Sequence, residues 1–372
     1  MTLSYNTYRE IRQQPMVWCK AYDIILSQKD EIKAFLDRFQ QEGYEIVLTG
    51  AGTSGFIGDA LVPALFSTRF RGARSIATTD IVTSPEAYFD SLSKVLLISF
   101  ARSGNSPESL GAIKAVEKTA GKAAHIFITC NEQGHLAQQH GDNILTILLP
   151  PETNDLSLAM TSSYSTMLLA CSLIANIDDI ESQKPLIEKV ADCTLNAMDA
   201  YEEDICTLSG KDFKRAVFLG TGPLRGVAEE SSLKLQELTD GTVICCHDSF
   251  LGFRHGPKAV INNESLMVYL VSPKPSVQRY ELDLIRQIKA HNGVKGSIAI
   301  CGKNPGLDPA GWDIIVETGL PEDIPACYGC VSYIFVAQML GLFKSMQLGL
   351  NPDSPSVSGN ISRVVEGVTL YI

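Results

Sequence analysis

The chain has 372 residues, 45% hydrophobic and 20% charged, with a formal net charge of −11 at pH 7. That length exceeds what one growing core fills, so two domains of ordinary size are expected. The acidic balance, without a dense Lys/Arg cluster, excludes a nucleic-acid partner; an anionic ligand has to be held locally, and no apolar run reads as long enough to span a membrane.

Residues 1–44 read as a mainly helical arm interrupted by Pro15, and the polar start "MTLSYNTYREIRQQ" lacks a signal-peptide stretch, which points to the cytoplasm. Next comes "EIVLTGAGTSGFIGDAL" (45–61): a buried strand, a glycine-rich turn and a helix start. Gly50, Gly52 and Gly55 fit G-x-G-x-x-G, and such a turn presents backbone N–H groups to a phosphate. A dinucleotide is one occupant, with Asp80 as the acid on its ribose. Thr53 and Ser54, however, place two hydroxyls at the helix N-terminus, which suits a sugar better than a pyrophosphate.

Three further apolar runs, 94–100, 123–130 and 143–149, read as parallel strands buried on both faces, with a helix over 106–120. After the first of them, Ser103, Gly104, Asn105 and Ser106 form a hydroxyl-rich turn, and Pro107 suits the first turn of the helix. Backbone N–H groups and two serine hydroxyls there make a cradle for one phosphate, although a plain N-cap uses the same residues. A third hydroxyl cluster, "AMTSSYST" (159–166) with Thr161 and Ser162, opens a helical connection over 155–210. Capping is the simpler account of it; three such clusters in one unit describe a donor-rich pocket for a polyhydroxy ligand ending in phosphate.

The pattern then repeats. "RAVFLGTGPLRG" (215–226) has the form of 45–55, followed by strands at 265–272, 296–302 and 312–318 and a helix over 278–291. The expected fold is α/β: two tandem doubly wound parallel-sheet sandwiches with an N-terminal helical arm, divided as arm 1–44, first domain 45–200, second domain 201–350 and tail 351–372. Ligands belong at the carboxyl ends of the strands.

In the second copy a helix from Leu224 to Thr239 carries Glu230, Lys234 and Glu237 at i, i+4 and i+7, on one stripe. A solvated face with an ion pair explains the stripe; Leu233, Leu235 and Leu238 around it leave room for a carboxylate acting as a general base. Downstream, His255 lies in "DSFLGFRHGPKAVI", before Gly256 and Pro257, in a rigid turn expected to be non-helical. A base carboxylate and a proton-moving histidine are the minimum set for opening a sugar ring and enolising it. The ten cysteines sit mostly in apolar runs, as reduced, buried thiols. Cys327 and Cys330 form a C-x-x-C, but zinc would want a second pair or histidines at ligand spacing, so the pair reads as core and no metal is expected.

Together "EIRQQP" (10–15), "GTS" (52–54), "SGNSPE" (103–108), "EESSLKLQEL" (229–238) and "RHGP" (254–257) resemble the sugar isomerase (SIS) domain family and the isomerase half of glucosamine-6-phosphate synthase. By this resemblance Ser103 and Ser106 bind phosphate, Thr53 and Ser54 bind the sugar, Glu237 is the proton-transfer base, Lys234 lies near the reacting carbons, and His255 assists ring opening in the neighbouring subunit of a homodimer. The synthase carries a glutaminase domain, whereas Met1-Thr2 here leads directly into the isomerase region, so glutamine is not expected as the nitrogen source. The single-chain form is similar to the galactosamine-6-phosphate deaminase/isomerase family, also described as tagatose-6-phosphate ketose/aldose isomerases. That implies deamination of galactosamine-6-phosphate to tagatose-6-phosphate and ammonia, without metal or redox cofactor; the alternatives are aldose–ketose exchange on a nitrogen-free phosphosugar and a sugar-phosphate sensor. The synthase's tail lysine is missing, with Glu366 nearest its place and Arg363 a substitute.

Overall fold

The computed structural model describes residues 3–290, 293–365 and 367–371; Met1, Thr2 and Glu366, each cited above, lie outside the described residues. The chain divides into two compact units. The first unit comprises Met16–Asp155, Ser162–Ile187 and Ser362–Ile372, and the second Met1–Pro15, Leu156–Thr161 and Glu188–Ile361.

The arm is helical, as α1 (Asn6–Arg12), α2 (Gln14–Ser27) and α3 (Lys29–Gln41). Pro15 stands at the second position of α2, where a missing N–H removes no helical hydrogen bond. In the first unit β1 (Glu45–Thr49), α4 (Thr53–Leu61), β2 (Arg74–Ser75), α5 (Thr78–Thr83), β3 (Lys94–Ala101), α6 (Pro107–Thr119), β4 (Lys122–Thr129), β5 (Ile144–Leu148) and α7 (Ser162–Ala175) follow in order. Helix α8 (Ile180–Ser209) leads into the second unit's β6 (Arg215–Leu219), α9 (Pro223–Leu238), β7 (Ile244–Asp248), β8 (Ser265–Leu270), α10 (Pro275–Lys289), β9 (Gly296–Cys301), β10 (Ile314–Glu317), α11 (Ala326–Gly329) and α12 (Ile334–Gln347).

Each unit contains one five-stranded sheet, ordered β2-β1-β3-β4-β5 and β10-β9-β8-β6-β7, with every pairing parallel. Read from the opposite edge, the second order is β7-β6-β8-β9-β10. The sequence repeat is thus a repeat of topology, and the order reverses between β1 and β3 and between β6 and β8, where a doubly wound sheet opens a crevice. Strands β8 and β9 are buried along their whole length, as the continuous apolar runs require.

The sequence reading missed one edge strand of each sheet, β2 and β7. β2 has two residues, and β7, "ICCHD", is only half-buried, so neither shows the apolar run of a central strand. It also underestimated one apolar stretch. Ala326–Gln347 is long and apolar enough to cross a membrane, but 94% of its most apolar window is buried inside the protein, which accounts for its composition as that of an interior helix. All ten cysteines are free thiols, six of them buried, Cys327 and Cys330 included.

Candidate active site

In the first unit the loops after β1 and β3 leave adjacent strands, with Thr49 opposite Ser99 in register, so Thr53–Ser54 and Ser103–Ser106 rise from the same edge of the sheet. Gly52 takes φ +52° at the N-cap of α4, and a Cβ on Gly50 would meet the backbone of Ser54 at 2.4 Å; this turn therefore needs glycine at both places. Thr53 and Ser54 are buried on the first turn of α4. Asp80 lies exposed on the first turn of α5.

The β3 loop is built as the sequence reading expects. Gly104 has φ +67°, Ser106 is the N-cap of α6 with Pro107 at its start, and the Ser106 hydroxyl accepts from Ser109 N–H at 3.3 Å. Its support was missed. Asn131 Nδ2 donates to the Ser103 carbonyl at 3.0 Å, and Asn105 Oδ1 accepts from His135 N–H at 2.9 Å and meets His135 Nδ1 at 2.8 Å. Because Oδ1 takes the backbone N–H, the ring nitrogen facing it is a donor, and the Asn105 amide nitrogen is turned away. A second missed feature is a set of hydroxyls at this sheet's carboxyl edge: Thr49, Ser99 and Thr129 are buried without a hydrogen-bond partner among the described residues. Buried hydroxyls seek partners, so these mark polar ground beneath the loops.

The third cluster is a cap. Asp155 is buried, takes the Ser162 hydroxyl on one oxygen, and on the other accepts from Ser163 N–H at 3.0 Å and Ser163 Oγ at 2.6 Å, closing the N-terminus of α7. Ser162 is fully buried. Thr161 falls in the second unit, buried, its carbonyl accepting from Gln338 Nε2 at 3.4 Å. Arg363 grips the loop after β5, donating to the Asp155 carbonyl from Nε at 2.9 Å and from Nη2 to Asn154 Oδ1 at 2.9 Å, while its own carbonyl accepts from Arg102.

In the second unit the α9 stripe is not a solvated face. The Lys234 side chain is 1% exposed, with Nζ 2.5 Å from Glu237 Oε2 and 3.4 Å from Glu230 Oε1; Glu230 is fully buried and Glu237 is 22% exposed. The ammonium thus sits between two carboxylates, the condition under which a buried lysine is tolerated. Helix α12 packs on α9, and at Gly341 a Cβ would come within 2.7 Å of Leu238 and 3.3 Å of the Lys234 carbonyl. That close approach buries the stripe. Glu237 Oε1 makes no hydrogen bond to a described residue, so one carboxylate oxygen is held by lysine and the other is left to accept a proton.

The geometry corrects one general expectation. Helix α9 links two adjacent parallel strands, β6 and β7, so it runs back antiparallel to them. Glu237, in its last turn, lies roughly 20 Å along the helix from Pro223, toward the amino ends of the strands. His247 on β7 was also missed; its Nε2 is 3.5 Å from Glu229 Oε1 on the same helix. His255 ends a 3-10 turn, Gly252–His255, and a second one, Pro257–Val260, follows Gly256 at φ +124°; the expected rigid turn is two short helical turns about a glycine. Phe253 anchors it in the core, while the His255 side chain is exposed, without a hydrogen bond to a described residue.

The second crevice, between β6 and β8, is filled by the chain itself. Glu281 on α10 is fully buried; its Oε2 accepts from Ser272 N–H at 2.8 Å, and its Oε1 has no hydrogen-bond partner among the described residues. Burial pushes the Glu281 carboxyl from its ordinary 4.5 up to about 7, against the hydrogen bond from Ser272. Its protonated form therefore adds stability that is complete below about pH 4.5 and lost as pH rises through 7, about 3 kcal/mol in all. Urea unfolding of wild type and Glu281→Gln at several pH values should show that slope in the wild type and a flatter one in the variant.

A SIS domain model matches residues 39–177. Over 372 aligned residues the chain is 38% identical to D-galactosamine-6-phosphate deaminase AgaS from Escherichia coli, covering 98% of this chain and 95% of that one. Among solved structures, tagatose-6-phosphate ketose/aldose isomerase from Escherichia coli aligns at a TM-score of 0.90 with 35% identity, over 99% of this chain and 97% of that one. The C-terminal domain of glucosamine-fructose-6-phosphate aminotransferase from Francisella tularensis shares the fold, at a TM-score of 0.79 and 16% identity over 93% of this chain and 97% of that one.

Proposed function

The chain belongs to the SIS-domain family that includes the D-galactosamine-6-phosphate deaminase AgaS proteins, and from that premise we propose that it converts D-galactosamine-6-phosphate and water to tagatose-6-phosphate and ammonia. The observation that carries the reading is the buried Lys234 between two carboxylates, one of which, Glu237, reaches solvent with one oxygen unbonded. His255 protonates the ring oxygen as the sugar opens to its aldehyde. Glu237 then takes the C2 proton and returns it at C1, and as an amine proton passes to the C1 oxygen the aldehyde becomes a C1 hydroxyl and the C2 amine an imine. Water adds to that imine, ammonia leaves, and the ketose remains. Lys234 fixes Glu237 Oε2, while Glu230 offsets the lysine's charge.

Thr53, Ser54, Ser103, Gly104, Asn105 and Ser106 hold the phosphorylated sugar, while Ser162, whose hydroxyl is given to Asp155, closes the helix behind them. Because the Ser106 hydroxyl also caps α6, Ser106→Ala is expected to act twice. Losing a donor to a charged group costs about 1.5–3 kcal/mol of substrate affinity, read as a rise in KM of roughly 10- to 100-fold. Losing the cap costs about 1 kcal/mol of stability. A stability loss with an unchanged KM would leave Ser106 a cap alone.

The protein works as a cytoplasmic homodimer, with the exposed His255 reaching the partner's site. A second reading, ketose–aldose exchange without nitrogen, is favoured by the name of the Escherichia coli structure that aligns at 35% identity. Incubation with a panel of hexose phosphates separates the two and fixes the C4 configuration. Ammonia should come from galactosamine-6-phosphate ahead of glucosamine-6-phosphate; turnover confined to nitrogen-free sugars would replace this reading by the second.

A further inference from the structure

Asp240 is the one non-glycine residue with positive φ among the described residues, at +46°. It stands just past the end of α9, where Gly241 N–H reaches the Gln236 carbonyl at 2.9 Å and Asp240 N–H the Glu237 carbonyl at 3.1 Å. That is the closing turn in which glycine is the favoured residue, so an aspartate there is held against its own preference. Backbone held this way points to a side chain kept for a purpose.

The purpose is visible in its contacts. Asp240 Oδ2 accepts from Val357 N–H at 3.2 Å, a donor shared with the Pro355 carbonyl at 3.0 Å, and from Ser358 N–H at 3.3 Å, and Oδ1 accepts from Ser358 Oγ at 3.2 Å. Upstream, the tail is anchored at Asp353, which accepts from Asn6 N–H at 3.0 Å and Thr7 N–H at 2.8 Å. Beyond that anchor Val357 to Asn360 are exposed, and Asp240 is what ties them down in this unit. We propose that Asp240 is a positioning residue that holds the tail segment 356–361 against the end of the helix carrying Lys234 and Glu237, three residues from the base.

The catalytic half of this inference rests on the deaminase reading; the clamp itself does not. Asp240→Gly supplies the residue the turn prefers and removes only the carboxylate, so a mere helix-end role predicts unchanged or higher melting temperature and unchanged kinetics. The clamp predicts that unchanged or higher melting temperature together with hydrogen exchange at Val357 and Ser358 faster by tenfold or more. It further predicts a fall in kcat on the order of tenfold, with KM within about twofold. Asp240→Asn, which keeps one acceptor and tolerates the conformation, should recover part of both losses. Wild-type exchange at Val357 and Ser358 in Asp240→Gly would overturn the clamp, and faster exchange with wild-type kcat would overturn its part in catalysis. A wild-type protein that releases no ammonia would count against the deaminase reading while the exchange result still decides the clamp.

Discussion

Glu237→Gln should lower kcat for ammonia release by 10²- to 10⁴-fold, the range a positioned general base contributes, while the protein melts close to the wild-type temperature. The substitution keeps shape and leaves an amide oxygen facing Lys234, whose ammonium also retains Glu230 at 3.4 Å. The buried charge therefore stays paired, and the loss falls on chemistry. A coupled ammonia assay and a thermal melt check the two halves. More than a tenth of wild-type kcat remaining would remove Glu237 from the proton transfer.

Equal amounts of Glu237→Gln and His255→Ala chains, each nearly inactive alone, should regain about a quarter of wild-type activity when refolded together. The expectation follows from two-fold symmetry. If each site combines Glu237 of one chain with His255 of the other, a mixed dimer has one doubly altered site and one intact site. Random pairing makes about half the dimers mixed, which gives the quarter. The exposed place of His255 at the Gly256 turn is what motivates the experiment. No recovery, with mixed dimers confirmed by mass spectrometry, would mean that each site is built within one chain.

The repeat was legible because it is written in local chemistry: Gly50 and Gly220 each allow a close helix–strand approach, and the apolar runs of β3, β4, β8 and β9 need no distant information. The edge strands β2 and β7 were not, since a two-residue pairing such as β2 depends on where its neighbour lies. Ser106 illustrates a different limit. Its sequence fits both a cap and a phosphate donor, and the structure shows the cap without excluding the donor. The α9 stripe was legible as a stripe but not as buried. Its burial comes from Gly341, more than a hundred residues away, which lets α12 close on Lys234. The Asn131 and His135 contacts behind the β3 loop, and Glu281 in the second crevice, likewise join residues that only the folded sheet brings together.

The account is tested most directly by following ammonia and tagatose-6-phosphate together as purified protein consumes D-galactosamine-6-phosphate. One ammonia should appear for each ketose formed, at a rate that the Glu237→Gln protein does not approach. No ammonia above the Glu237→Gln background, with turnover confined to nitrogen-free sugar phosphates, would contradict it.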